Sequence, residues 1–236
     1  MTKIAIPLAA MAAAAAATPA VAADVTVAAQ GPVIELSVSE TVKGSPDQAE
    51  IGAGVTTEAP TAVEAMRLNA EAMTRVIARI RALGIAENDV QTTGINLNAN
   101  YDYTDGKAVF RGYQASNRVS VLLRKVDDTG RVLDALVAAG ATDLSGPNFS
   151  LADDTAAQAQ ARRAAVQKAE KMAREYAEWS GYKGVRVLKI SEMMNASPPM
   201  PMMRVQAMDA SAASTPVAPG MVGTSVTVSV TYEMNR

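Results

Sequence analysis

Hydrophobic side chains recur at spacings of three and four from Val63 through Met66, Ala70, Met73, Ile77 and Ile80, with Val76 and Leu83 widening the stripe. That period lines one side of an α-helix, and such a side requires burial. Thr61 and Glu64 have the Thr-x-x-Glu spacing of a capping box, with Pro60 just outside it, so the helix starts at Thr61. Glu64, Arg67, Glu71, Arg75 and Arg79 fall on the other side and read as a solvated face, with Glu71 and Arg75 as an i,i+4 pair. Gly84 is placed to supply the left-handed stop. Beyond Asp89 the period drops to two, and Ile95, Leu97, Ala99 and Tyr101 predict a half-buried strand.

The same two periods organise the rest of the chain. Ile34, Leu36 and Val38 alternate with polar residues, and Ala49, Ile51, Ala53 and Val55 do so again across the turn-forming Gly44-Ser45-Pro46-Asp47, which predicts a hairpin. Gly52-Ala53-Gly54 lacks the third glycine and the adjoining helix of a phosphate loop, and reads as a strand with close backbone approach. Asp105-Gly106, between Thr104 and Lys107, predicts a second hairpin whose return strand carries Val119, Val121 and Leu123. Asp127 is placed to cap a short helix with Val132, Leu133, Leu136 and Val137 on one side and Gly140 as its stop, before a strand holding Phe149 and Leu151. The hand-overs Leu83-Gly84-Ile85 and Ala139-Gly140-Ala141 are alike, as if one strand-helix-strand unit were used twice.

The longest helix spans residues 153–180, closed by Gly181 and lined by Ala161, Ala165, Ala169, Met172, Tyr176 and Trp179. A strand with Val185, Val187, Leu188 and Ile190 follows, and the chain closes on Val226, Val228, Val230 and Tyr232. The order ββαββαβαββ predicts an α+β fold, with two long helices and one short helix packed on antiparallel or mixed sheets.

Composition narrows the chemistry. The 236 residues carry no histidine and no cysteine. This excludes Ser-His-Asp and Cys-His nucleophilic catalysis, His- or thiolate-bound zinc, disulfides and any imidazole switch. No catalytic and no cofactor-binding residue stands out, and an enzyme built from this chain would have to run on Asp/Glu, Lys, Tyr or Ser. A net charge of −2 with pI near 5.3 argues against nucleic acid as a partner. Lys3, the apolar residues 4–17, Pro19 and Ala20-Val21-Ala22 have the pattern of a secretory signal, cleaved after residue 22 or 23. The apolar run is shorter than the ~20 residues of a membrane span, so the expected product is exported without a transmembrane span. The expected layout is then signal peptide 1–22, mobile leader 23–32 and one domain over 33–236.

Residues 193–221 are rich in Pro, Ala, Ser and Met and lack any period, which reads as a flexible excursion. Its methionines, Met200, Met202 and Met203 above all, are also candidates for a soft-metal site, such as Cu(I) on thioethers, or for a sacrificial oxidant sink. Their spacing does not decide between these readings.

Asp89-Val90-Gln91-Thr92-Thr93-Gly94-Ile95, Tyr101-Asp102-Tyr103 and Gly112-Tyr113-Gln114-Ala115-Ser116-Asn117 resemble the SIMPL-domain family of periplasmic immunogenic and YggE-like oxidative-stress defence proteins. Gly140-Ala141, the Ala161-Arg162-Arg163-Ala164-Ala165 run, Ile190-Ser191-Glu192 and Pro219-Gly220 extend the resemblance over most of residues 33–236. Asn98-Ala99-Asn100 departs from it, lacking the proline expected before the tyrosine. The resemblance implies a periplasmic or outer-membrane-associated α+β protein that assembles into ring-like homo-oligomers and serves envelope or oxidative-stress tolerance, with envelope components as further partners. It supplies no catalytic residue. A non-enzymatic structural or binding role is therefore expected, against the alternative of a carboxylate-based hydrolase acting on envelope polysaccharide.

Overall fold

Alternating strands and amphipathic helices of this kind must bury their apolar sides against one another, and the chain does so in two layers. The computed structural model describes residues 29–104, 107–193 and 214–236. The order is β1 (Val33–Gly44), β2 (Gln48–Ala59), α1 (Ala62–Ala82), β3 (Val90–Thr104), β4 (Lys107–Leu123), α2 (Thr129–Ala138), β5 (Asp143–Ser150), α3 (Thr155–Trp179), β6 (Gly184–Met193) and β7 (Val222–Asn235). A four-stranded sheet runs β3-β4-β2-β5 and a three-stranded sheet runs β1-β7-β6, with every neighbouring pair antiparallel. The fold is α+β in the expected order.

Because β2 and β3 each run antiparallel to β4, they are parallel to each other, and α1 is the crossover between them. By the same logic β4 and β5 are parallel through β2, with α2 as crossover. Each crossover skips one strand and the two interlock, which is the split βαβ arrangement. The strand-helix-strand unit read twice in the sequence is this pair. Gly84 and Gly140 end the two helices at φ of 81° and 102°, a conformation that only glycine adopts without strain.

Several expectations are corrected. First, β1 and β2 do not form a hairpin: β1 pairs with β7 and β2 with β4 and β5, so residues 44–47 carry the chain from one sheet to the other. Alternation shows which side of a strand is apolar; it does not choose the neighbour.

Second, the buried side of α1 is Ala65, Asn69, Ala72, Met73, Val76 and Ile80, while Val63 is 81% exposed and Ala70 faces solvent. Ala65 and Ala72 bring the helix close to the sheet, and the Asn69 side-chain amide donates to the carbonyls of Val55 (2.8 Å) and Ala115 (3.0 Å). A polar residue in the middle of the buried row conceals that row from any search for apolar residues. The Thr61 hydroxyl does accept from Glu64 N, but the Glu64 carboxylate binds Arg67 instead of reaching back, and Glu71 pairs with Arg67 and not with Arg75.

Third, α3 buries Ala161, Ala165, Ala169, Ala173 and Ala177, a strict i+4 row, and leaves Met172 half-buried, Tyr176 partly exposed and Trp179 mostly exposed. Alanines admit β1 and β7 to close range, so the bulk of that core comes from Val38, Val226, Val228, Val230 and Tyr232. The short helix likewise starts later than expected. Asp127 makes no cap; it sits in a 3-10 turn, and the Thr129 hydroxyl donates to Val126 O at 2.6 Å. Val132 and Leu136 are buried there, and Val137 is exposed.

Candidate interaction surface

α1 packs on β2 and β4, so β3, at the end of its sheet, keeps the helix side of its residues uncovered. Leu97 lies opposite Ala115, which is buried under Ala65 of α1, and this places Ile95, Leu97 and Ala99 on the helix side. Ile95 is 57% and Leu97 41% exposed. The strand expected to be half-buried is therefore open on both sides, because no helix extends over it. Past a bulge at Asn100/Tyr101 the apolar strip continues: Tyr101 packs edge-on against Phe110 at 5.6 Å, and Phe110 against Tyr113 at 5.4 Å. Tyr101, Tyr103, Val109 and Phe110 are all exposed.

The opposite side of the same hairpin is polar. Asn96, Asn98 and Asn100 stand in one row, and Glu58 accepts from Asn100 (3.2 Å) and from Gln114 (3.0 Å). From Val90 to Tyr101 there is no charged residue and no proline. The other sheet edges are guarded: β1 carries Glu35, Glu40 and Lys43, β6 carries Arg186, Lys189 and Glu192, and β5 is short and holds Pro147. Natural edges use such devices to refuse added strands, and from Val90 to Tyr101 β3 has none beyond its two bulges, its one charge, Asp102, lying past them and paired with Arg111.

Arg118 and Glu233, charged residues on strand faces, do not guard edges, since β4 and β7 are interior strands. Glu233 is a buried anchor: it accepts the backbone N–H groups of Gln30 (2.5 Å) and Gly31 (2.6 Å) and pairs with Arg186. Nothing local in the sequence marks it, because those partners arrive from the chain's other end and from β6.

A groove of about 410 Å³ beside the β1–β2 connection holds Asp47, Asp127 and Asp128 with Arg124 and Lys125. Its groups serve the fold: Asp47 accepts from Ala152 N (2.7 Å), Asp128 pairs with Arg131, and Arg124 grips Asp89 through two hydrogen bonds. Glu64, Asp89, Glu192 and Glu233 are held below the usual carboxylate range by the guanidinium hydrogen-bonded to each. Asp134 and Asp153 are held down by hydrogen bonds from Thr215 and Thr155. A glycosidase general acid needs a displacement in the other direction. Among the described residues no three acidic groups converge as a metal-ligand set, and no helix is long and apolar enough to cross a membrane. Met200, Met202 and Met203 lie outside the described residues. Of the flanking methionines, Met193 and Met221 are exposed, and the returning chain is tied to α2 by Thr215 N and Oγ1 on Asp134.

The SIMPL family profile, described as a protein of unknown function (DUF541), matches residues 34–232. The chain belongs to the SIMPL family. It is 35% identical over 201 residues to the 26 kDa periplasmic immunogenic protein of Brucella melitensis, covering 80% of each chain. It is 29% identical over 184 residues to the uncharacterized protein YggE of Escherichia coli K12, covering 78% of this chain and 75% of that one. In this SIMPL chain the Asp89-to-Ile95 and Gly112-to-Asn117 runs lie on or beside β3 and β4, so part of the resemblance is carried by the uncovered hairpin.

Proposed function

We propose that this SIMPL protein is an exported, non-catalytic envelope protein that acts as a homo-oligomer, in a binding or structural role serving envelope or oxidative-stress tolerance. The observation that carries this reading is the uncovered apolar strip on the β3–β4 hairpin, Ile95, Leu97, Tyr101 and Phe110, on a chain that a monomer would leave facing water. Export is supported by the signal-like residues 1–22 and by the Brucella relative, which is named periplasmic. The non-catalytic part is supported by a chain without histidine or cysteine and by carboxylates that, where displaced among the described residues, are displaced downward.

Light scattering on the processed protein over a hundredfold concentration range tests assembly, and a mass of several chains is expected. A mass of one chain throughout overturns it. N-terminal sequencing of the exported protein is expected to start at Ala23 or Asp24, whereas intact Met1 in the soluble fraction overturns export.

A further inference from the structure

Between its two bulges β3 keeps continuous register with β4 over residues 94–100, a straight run of seven centred on Leu97. We infer that this run is a self-complementary seam, at which β3 of one copy pairs antiparallel with β3 of a second copy about a two-fold axis through Leu97. The inference rests on the self-association proposed above and names where it occurs.

The pattern of the run supplies the argument. Antiparallel pairing centred on Leu97 sets Leu97 against its own copy and Ile95 against Ala99 of the partner subunit on the helix side, all of them exposed in the single chain. On the other side Asn96 meets Asn98 of the partner subunit, amide to amide, and Gly94 meets Asn100 of the partner subunit. No charge meets a charge and no proline interrupts the ladder. A two-fold axis perpendicular to the sheet keeps both α1 helices on one face, so the two apolar rows share a trough between them. The backbone N–H and C=O groups on the free side of β3 gain partners, turning two four-stranded sheets into one of eight strands. A one-residue slip would set Leu97 against an asparagine of the partner subunit and turn the partner's apolar row to the other face, whereas a two-residue slip keeps the faces and moves the self-pair from Leu97 to Asn96 or Asn98, so the centre is open to measurement. Such a seam closes at two copies, and a ring of more copies needs a second interface.

The absence of native cysteine makes cross-linking a clean probe. In the full processed chain, Leu97→Cys is expected to give a covalent dimer on mild oxidation, reversed by thiol. Ile95→Cys mixed with Ala99→Cys is expected to give the heterodimer, and Ser39→Cys on β1 to give neither. Leu97→Lys, at an exposed position, is expected to abolish assembly over the hundredfold range while leaving the far-ultraviolet spectrum unchanged. An oligomer that persists in Leu97→Lys and shows no cross-link at these positions overturns the seam and leaves self-association standing. A monomer at every concentration overturns both.

Discussion

On the four-stranded sheet, α1 lowers Met73, Val76 and Ile80 onto a floor that includes Ala49 and Ala53; on the three-stranded sheet, α3 lowers a row of alanines onto Val226, Val228, Val230 and Tyr232. In the first layer the helix brings much of the bulk, and in the second the strands bring nearly all of it. Total side-chain volume must fill the gap in either case, so the helix with small residues sits closer to its sheet. The two layers should therefore fail in opposite ways. Adding volume under α3 meets strands already in place, while the interior of the α1 layer is damaged most by removing bulk or introducing charge.

The largest effect is expected from Ile80→Asp, which leaves an unpaired carboxylate at a position with no solvent exposure and costs about 3–5 kcal/mol. Ile77→Asp, on a residue only partly buried against the same core, should cost less, and Val63→Asp should change stability by under about 0.5 kcal/mol. Urea unfolding orders the three; an equal loss at Val63 would show that the helix face is drawn wrongly. Next comes Ala169→Leu, expected to cost about 1–3 kcal/mol by overpacking against the valines of β7, where Ala70→Leu on the exposed side of α1 costs nothing measurable. If Ala169→Leu is tolerated, the close approach of α3 is not what sets that layer. Asn69→Ala should follow at about 1–3 kcal/mol, since it deprives the Val55 and Ala115 carbonyls of a buried donor. Asn69→Asp should be worse at neutral pH and recover as pH falls, because only its protonated form can donate to either carbonyl.

These differences mark what the sequence conveys. Period and punctuation identify every element and its order: the 3.6 period of α1, the alternation of β3 and β7, the glycines at 84, 140 and 181. They do not identify partners. β1 and β2 look like a hairpin because each alternates and turn residues lie between them, yet each finds its neighbours far along the chain. Asn69 is invisible for a related reason, since its burial depends on carbonyls of β2 and β4 that only the crossover brings together. The hairpin surface was legible in kind and misread in exposure: the apolar alternation of Ile95, Leu97 and Ala99 is there, but a strand's own residues do not show whether a helix will reach over it.

Glu233 sharpens the comparison at its smallest scale, because one carboxylate of the three-stranded layer accepts from both Gln30 and Gly31. Its hydrogen bonds with Arg186, and then those from Gln30 and Gly31, hold the carboxyl below the ordinary value of about 4.3 for glutamate. Between the folded value and the unfolded one, the unfolded chain binds more protons. The contribution is therefore complete above the unfolded value and is lost as pH falls through the folded one. Asp89 and Glu192 are displaced in the same direction, so the expected decline of the wild-type urea midpoint below about pH 5 is collective. The share belonging to Glu233 is the difference from Glu233→Gln, whose midpoint should be lower at pH 7 and fall less steeply toward acid. Amide exchange gives the local reading: protection at Gln30 and Gly31 should fade with acid in the wild type and be weak at every pH in Glu233→Gln. Parallel midpoint curves for the two proteins would mean that residues 30–32 are held by the backbone bond from Met234 to Pro32 and not by this carboxylate.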